Sequence, residues 1–548
     1  MVSKLRHVIV ILMTTIALMM MLSVLFSGNM IHANMTMNNQ FTAYSLLKYL
    51  FLGMALLVIA ALVTRLSHHH DKLVKRVLWA IIIGIVIFAM LVQPYAPVYD
   101  SMGVNVQVYD LVNHFPHGKW SNYFSIFPNN VPITTFLFWI DMPFRHFLTG
   151  LEDFLLLNAI YGQLLMLFSI YHMSKLADKM FGSPTRNVLL LFYVFVPTYL
   201  MQLTQIGYSD TFSLPFLVIG IRYVIELFYN LKNDNTQLLT WRRLGINDFK
   251  AIVLSSVCFA IALFLRPNTI VALLAIAMII GVFFWRQWQL IIMILVALSL
   301  SHVVVKEAGS MTTNMTNYQV SHDKNLQMPI ESWFLTAYYL DGRSGNEINA
   351  ITDKYKKYDQ RKAYIRSKLL GKFKDLGPIG ILTTWRDKTN VLFGIKSDFG
   401  MQYFNQFRNH GDHTLQEQYQ SNYKFLAPKM IHSTMTVTLL SILSFGILPF
   451  YFFAKNKTTD LNNDRADFKN NSFSILMILG VLESLSLFYI LLWEVQEHYI
   501  YMMFPFLLLL GASLWRWAFQ IVFQIGIVNT LPQNDTHTDE MRSKYESQ

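Results

Sequence analysis

The sequence predicts an all-α polytopic membrane protein, and three observations carry that prediction. The 548-residue chain is 54% hydrophobic and only 14% charged, whereas a soluble globular protein usually carries about 25% charged residues. It holds many separate apolar runs of roughly 18 to 22 residues, each long enough to cross a hydrocarbon core as a helix. Lys and Arg gather in alternate connections between those runs, as the positive-inside rule requires. Backbone polar groups in lipid must be satisfied within helices or closed barrels, and runs this long and continuous exclude a barrel.

The spans follow in order. Lys4 and Arg6 place the N-terminus in the cytoplasm, and the first run, 7–28, reads as a retained signal anchor because no A-x-A-like site follows it. The uncharged "NMIHANMTMNNQ" then lies outside. A second span, 45–66, ends at "RLSHHHDKLVKR", whose Arg65, Lys72, Lys75 and Arg76 read as an inner loop, and a third, 77–95, returns outward and delivers Asp100. The apolar "VPITTFLFWI" after "NYFSIFPNN" is too short to cross and reads as an interfacial or re-entrant helix. That reading keeps Lys175, Lys179 and Arg186 on the inner side after a fourth span, 154–174. Spans at 187–206, 211–230, 251–265, 268–285 and 288–305 follow. A polar, partly helical segment, 306–433, is then outside, and spans at 434–454, 472–493 and 500–520 complete about twelve, with both termini cytoplasmic. The expected organisation is therefore two added spans in 1–76, a core over 77–305 with an outer loop at 96–152, the outer segment 306–433, closing spans in 434–528 and a disordered tail, 529–548.

The net charge of +11 fits inner loops facing anionic lipid and does not require nucleic acid. Cys258 is the single cysteine, so no intramolecular disulfide forms. "HHHDK" at 68–72 lacks the helical ligand spacing of a metal site. No Walker A, GxGxxG, HExxH or GxSxG motif stands in a suitable context, and no cytoplasmic domain is large enough for a nucleotide-sugar unit.

Ionisable residues at membrane boundaries are the first candidates for chemistry. The outer face receives Asp100, Asp110, Asp210, Arg266, Glu494, Glu497 and His498. Asp100, beside Tyr99, reads either as a helix cap or as a partly desolvated base. Asp210 in "GYSD" has the same two readings. Arg266 in "LFLRPN" either snorkels to the interface or forks a phosphate. In "WEVQEHY", helical spacing would put Glu494 and Glu497 or His498 on one face.

The order of these features resembles the GT-C superfamily of polytopic glycosyltransferases, in the branch related to protein O-mannosyltransferases and aminoarabinose transferases. Asp100 matches the acidic residue that opens the family's first outer loop. Phe127, Pro128, Asn129 and Asn130 match its Tyr/Phe-Pro-Asn segment, and Asp210 its second acidic position. "EVQEHYIYMMFP", with Glu494, Tyr499 and Pro505, is similar to a late acidic-Arg-Tyr segment, with His498 standing where Arg is expected. The resemblance implies a sugar donor on a polyprenyl phosphate and a cell-envelope acceptor, which could be a glycan, a teichoic-type polymer, a glycolipid or a protein, at the outer face of a bacterial plasma membrane. It implies Asp100 as general base, Asp210 and Asp110 as further acidic residues toward the acceptor, and Arg266 on the lipid phosphate. Lys388, Arg386 and His498 are further candidates for that phosphate, and Tyr99, Glu494 and Tyr499 join the Phe-Pro-Asn-Asn segment as cleft walls. A divalent metal is left open. The competing readings are a transporter or flippase for lipid-linked glycans, which would place ionisable groups such as Arg222, Glu226 and Glu483 within spans, and a polysaccharide polymerase or ligase.

Overall fold

The computed structural model describes residues 2–26, 43–92, 100–115, 121–202, 208–233, 245–316, 323–338, 351, 354–393, 414–454, 464–495 and 497–528. Regular structure among them is helical, with no strand. The first helix, α1 (Val2–Leu25), is the anchor run. The second, α2 (Ala43–Val92), joins the second and third expected spans into one 50-residue helix kinked at His70. The expected connection "RLSHHHDKLVKR" holds that break: His70 is non-helical (φ −128°, ψ 39°), with helix on either side in place of a longer loop. The segment has no Gly or Pro, and its Leu, Lys and Arg residues favour continuation.

The segment expected as an outer loop folds as α3 (Asp100–Val112), α4 (Ser121–Ile126), a 3₁₀ turn at Pro128–Asn130 and α5 (Val131–Asp141). At 11 residues α5 is well below a membrane crossing. Its buried face joins α3 in a small separate core, built on Val104, Val108, Phe124, Ile133, Leu137 and Phe154. That core fixes these short helices to the bundle.

Helix α6 (Leu151–Phe181) starts where Asp153 accepts the backbone N–H groups of Thr149 and Gly150. It turns at Gly182, whose φ of +84° suits glycine, into α7 (Ser183–Val194), and α8 (Pro197–Gln202) follows. Next come α9 (Ser209–Asn233), α10 (Ile246–Leu265), α11 (Ile270–Phe283) and α12 (Trp288–Met315). Helices α9 and α10 pack closely at Gly220, where an added Cβ would lie 2.4 Å from the Phe259 ring.

The polar segment 306–433 contains α13 (Glu331–Tyr338) and α14 (Tyr358–Leu392), the latter kinked at Gly377. The chain closes with α15 (Thr414–Leu443), α16 (Leu448–Ala454), α17 (Asp464–Leu487), a π-helical turn at Phe488–Leu492, a 3₁₀ turn at Glu497–Met502 and α18 (Phe504–Val528). Helix α12 runs on to Met315, beyond the expected membrane exit near 305, and α15 begins well before the expected span at 434. The expected disordered tail 529–548 and the "NMIHANMTMNNQ" loop lie outside the described residues.

Nine helices among the described residues are long and apolar enough to cross a membrane. The expected twelve differ from that number for a structural reason. Two expected spans share α2, and the fifth and eighth correspond to the shorter α7, of 12 residues, and α11, of 14 residues. Most of these helices meet in one large apolar core.

Candidate functional site

Asp100 is the first residue of α3, at a helix N-terminus that favours negative charge. Its side chain reaches solvent, yet burial by the surrounding protein is the main influence on it and pushes the carboxyl above its ordinary value. Hydrogen bonds from Tyr123 and Tyr208 act in the opposite sense. Asn130 orients both tyrosines. Its Nδ2 donates to Tyr123 Oη at 2.5 Å, and its Oδ1 accepts from Tyr208 Oη at 2.8 Å. Tyr208 Oη lies 3.5 Å from Asp100 Oδ2. The Asn of the Phe-Pro-Asn-Asn segment that faces Asp100 is therefore Asn130, while Pro128 and Asn129 are exposed.

Tyr208 also joins Asp100 to a second group of residues. Burial, then the charges of Asp100 and Asp210, push its phenol up, and Arg266 opposes them. Arg266 follows the last residue of α10 in an extended conformation (φ −145°, ψ 96°). Pro267 disfavours helix at the preceding residue, so "LRPN" ends the helix here. The Arg266 side chain is buried and ion-paired with Asp210, the second residue of α9, which is only 2% exposed. It does not snorkel. Its Nη1 donates to Ser209 Oγ at 3.3 Å and its Nη2 to Tyr489 Oη at 3.0 Å. The guanidinium also lies 5.3 Å from the Tyr499 ring centroid. The π-helical turn presents Tyr489, which stacks on Tyr499 at 4.5 Å. Such turns frequently mark functional positions.

Tyr499 Oη donates to Glu494 Oε1 at 2.7 Å. Glu494 in turn acts on Lys388, a fully buried residue of α14 whose Nζ donates to the Trp493 carbonyl at 2.7 Å. Burial pulls the Lys388 ammonium down to about 7, and Glu494 opposes that shift. Glu494 does not share a helical face with Glu497 as its spacing predicts. The chain is extended at Trp493 and leaves the helix before Glu494. One connected series thus runs from Asp100 through Tyr208, the Asp210–Arg266 pair, Tyr489 and Tyr499 to Glu494 and Lys388. An aromatic ridge runs beside it: Phe127 lies 6.1 Å from Trp333, which stacks on Trp493 at 5.4 Å.

Other expected residues lie apart from this series. Asp110 is ten residues further along α3, about 15 Å along the axis. Arg386 pairs with the adjacent Asp387 at 2.8 Å, and two residues before Lys388 it points to another side of α14. Tyr99 and the His498 side chain lie outside the described residues. Within expected spans, Arg222 pairs with Glu226 at 2.8 Å, and Glu483 is buried in α17. No three His, Cys, Asp or Glu side chains gather as a metal set among the described residues. Asp210 is already paired with Arg266, so these residues do not make a fitted divalent-cation site.

Sequence reasoning did not single out Tyr123, Tyr208, Ser209, Tyr489, Trp333 or Trp493. Their signal was weak: hydroxyl and aromatic residues near span ends are common in membrane proteins.

The fold and its apolar helices define an integral membrane protein with many membrane helices. The chain belongs to the family described as conserved hypothetical integral membrane protein, whose profile matches residues 1–392. No curated protein matches it. Among solved structures it is similar to the crystal structure of the Archaeoglobus fulgidus oligosaccharyltransferase in the apo form, at 11% identity and a TM-score of 0.31. That alignment covers 90% of this chain and 60% of the archaeal one. A likeness of this degree carries no argument about fold or activity.

Proposed function

We propose that the protein is a membrane glycosyltransferase. It moves a sugar from a polyprenyl-phosphate donor to a hydroxyl of a cell-envelope acceptor at the outer face of a bacterial plasma membrane. The observation that carries this reading is the joining of Asp100, through Tyr208, to the buried Asp210–Arg266 pair. A solvent-reachable carboxylate is thereby linked, through one tyrosine, to a buried cation.

In this reading Asp100 takes the proton of the acceptor hydroxyl as its oxygen bonds to the anomeric carbon. The bond from that carbon to the phosphate oxygen breaks, and the lipid phosphate leaves with the electron pair, inverting the centre. Arg266 and Lys388 supply the positive pole for the phosphate. Asp210 holds Arg266 by an ion pair, and the Trp493 carbonyl holds Lys388, whose charge Glu494 favours. Asn130 and the aromatic ridge beginning at Phe127 wall the cleft. Asp110, Arg386 and His498 have no step here.

The same reading folds α2 back at His70. Tyr49 sits against His432, Asp71 pairs with Arg186 beside the α6–α7 turn, and Asp100 faces Tyr208. The chain between these points would cross twice, which with α7 and α11 gives about twelve crossings and an outward site. A flippase for lipid-linked glycans is the second reading, favoured by Glu483 buried within a span.

The test is an Asp100→Asn variant, assayed in membranes for the lipid-dependent glycan. Loss of product with normal protein levels is expected. Undiminished product removes Asp100 from the chemistry and leaves the flippase reading.

A further inference from the structure

We infer that Asp141 is a positioning residue for Asp100 that works as a neutral acid, sharing its proton with Asn158 to hold the first turn of α3. The positioning role rests on reading Asp100 as the base, while the shared proton stands on its own geometry.

Asp141, the last residue of α5, is fully buried, and Asn158 of α6 and Asn105 of α3 are 1% and 2% exposed. Asn158 Nδ2 donates to Asp141 Oδ2 at 3.2 Å and to Asn105 Oδ1 at 2.9 Å. Asn105 Nδ2 donates in turn to the Ser101 carbonyl at 2.7 Å, on the residue that follows Asp100. A hydrogen-bonded chain therefore runs from Asp141 across three helices to the turn that carries Asp100.

Two oxygens in this cluster, Asp141 Oδ1 and Asn158 Oδ1, are buried without a hydrogen-bond partner. Both are acceptors, and they belong to side chains already joined by one N–H···O contact. A single proton on Asp141 Oδ1 makes it a donor to Asn158 Oδ1 and satisfies both, closing an acid–amide pair. An ionised Asp141 would leave an unpaired charge in the core, which is far more costly.

The charge environment agrees. Burial pushes the Asp141 carboxyl up to about 7, with the Asn158 hydrogen bond opposing. Helix α5 packs against α3, α6, α10 and α12. Their titratable groups include Asp110 on α3, Tyr161 on α6, Lys250 at the far end of α10, and Lys306 and Glu307 on α12. Of these Tyr161 registers the Asp141 charge, and none supplies Asp141 with a counter-charge. Arg145, just beyond α5, turns to His114 at 3.0 Å.

The sign follows from a folded-state value above the ordinary one of about 3.9. The folded protein holds the proton through a window in which the unfolded chain has lost it. Stability therefore falls as pH rises from about 4 to about 7, by about 10³-fold in the folded-to-unfolded ratio. Asp141→Asn copies the protonated state, because its amide donates to Asn158 Oδ1 and accepts from Asn158 Nδ2.

The test uses the full chain in lipid nanodiscs. Apparent melting temperatures of wild type, Asp141→Asn and Asp141→Leu are followed from pH 5 to pH 9. We expect wild type to lose stability relative to Asp141→Asn as pH rises, with Asp141→Asn at least as stable at pH 8 and Asp141→Leu weaker throughout. An Asp141→Asn protein less stable than wild type at pH 8 overturns the shared proton. So does a rise in wild-type melting temperature on adding sodium or calcium chloride that Asp141→Asn lacks, since the carboxylate would then hold a cation.

The positioning role is read separately, by labelling Asp100 with a water-soluble carbodiimide and quantifying it by mass spectrometry across the same pH range. Above about pH 7 the wild-type labelling profile should depart from that of Asp141→Asn. Coincident profiles throughout, in a stable Asp141→Asn protein, overturn the positioning role. Neither readout requires transferase activity, so a failure of the glycosyltransferase reading leaves both interpretable.

Discussion

Two arginines are buried at different ends of the helical bundle, and their surroundings differ in a way that separates scaffold from site. Arg186, at the start of α7, pairs with both Asp71 and Asp178, and the neighbouring Asn187 donates to Ser67 and Asp71. Both of those carboxylates are about a third exposed. Arg266 has one carboxylate, Asp210, which is almost fully buried, and tyrosines fill much of its remaining surround. The first cluster joins α2, α6 and α7 with its charge more than balanced. The second keeps a cation near neutral hydroxyls, with Asp100 close by. A cluster that only fastens helices can be closed by acids, whereas the proposed role of the second, holding an anionic substrate, requires that its cation keep neutral hydroxyls around it.

Substitutions can break this contrast, beginning with the largest effect. Asp100→Asn should lower transfer by about 10²–10⁴-fold, the usual worth of a general base, while leaving the melting temperature unchanged. Measuring both in one preparation separates chemistry from folding. Arg266→Met should destabilise the protein by about 3–5 kcal/mol, because it strands the buried Asp210 carboxylate. The double variant with Asp210→Asn should recover much of that loss in a denaturation series. Arg186→Met should cost less, about 1 kcal/mol, because the carboxylates it leaves are partly solvated. Equal losses at the two arginines would erase the distinction.

A finer test concerns pH. Burial holds the Asp100 carboxyl above its ordinary value, so a base at this position gains activity as pH rises through that raised value. Tyr123 lowers it by hydrogen bonding, so Tyr123→Phe should move the acid limb of the pH–rate profile to higher pH. A limb that stays in place would show that Tyr123 does not tune Asp100. An effect comparable to that of Arg186→Met is expected at the α6–α7 turn, where Gly182→Ala at φ +84° should cost about 1 kcal/mol in thermal denaturation.

Much of this arrangement was legible in the chain. The acidic residues Asp100 and Asp210 were visible because each stands next to a long apolar run, and Arg266 because a Pro follows it. The shortness of "VPITTFLFWI" foretold that α5 is too short for a span of ordinary length. The break between the second and third spans was legible too, since it falls at His70 within "RLSHHHDKLVKR"; its shortness was not, because charge and hydropathy suggest a longer loop while the absence of Gly and Pro lets helix run up to His70 on both sides. The partner of Arg266 was invisible as well. A terminal Arg on an apolar run is equally suited to snorkel, to bind phosphate or to meet an acid, and sequence spacing cannot choose among groups 56 residues apart.

The sequence by itself determined the class: hydropathy, run length and the placement of Lys and Arg act along the chain, and lipid accepts no other backbone than one whose hydrogen bonds are closed. Only the tertiary structure decided which polar side chains meet. Tyr123, Tyr208 and Asn130 around Asp100, Tyr489 and Tyr499 around Arg266, and Asn105, Asn158 and Asp141 beneath α3 come from distant segments. Their contacts are set by how helices pack over distances of a few ångströms, and no local pattern encodes that.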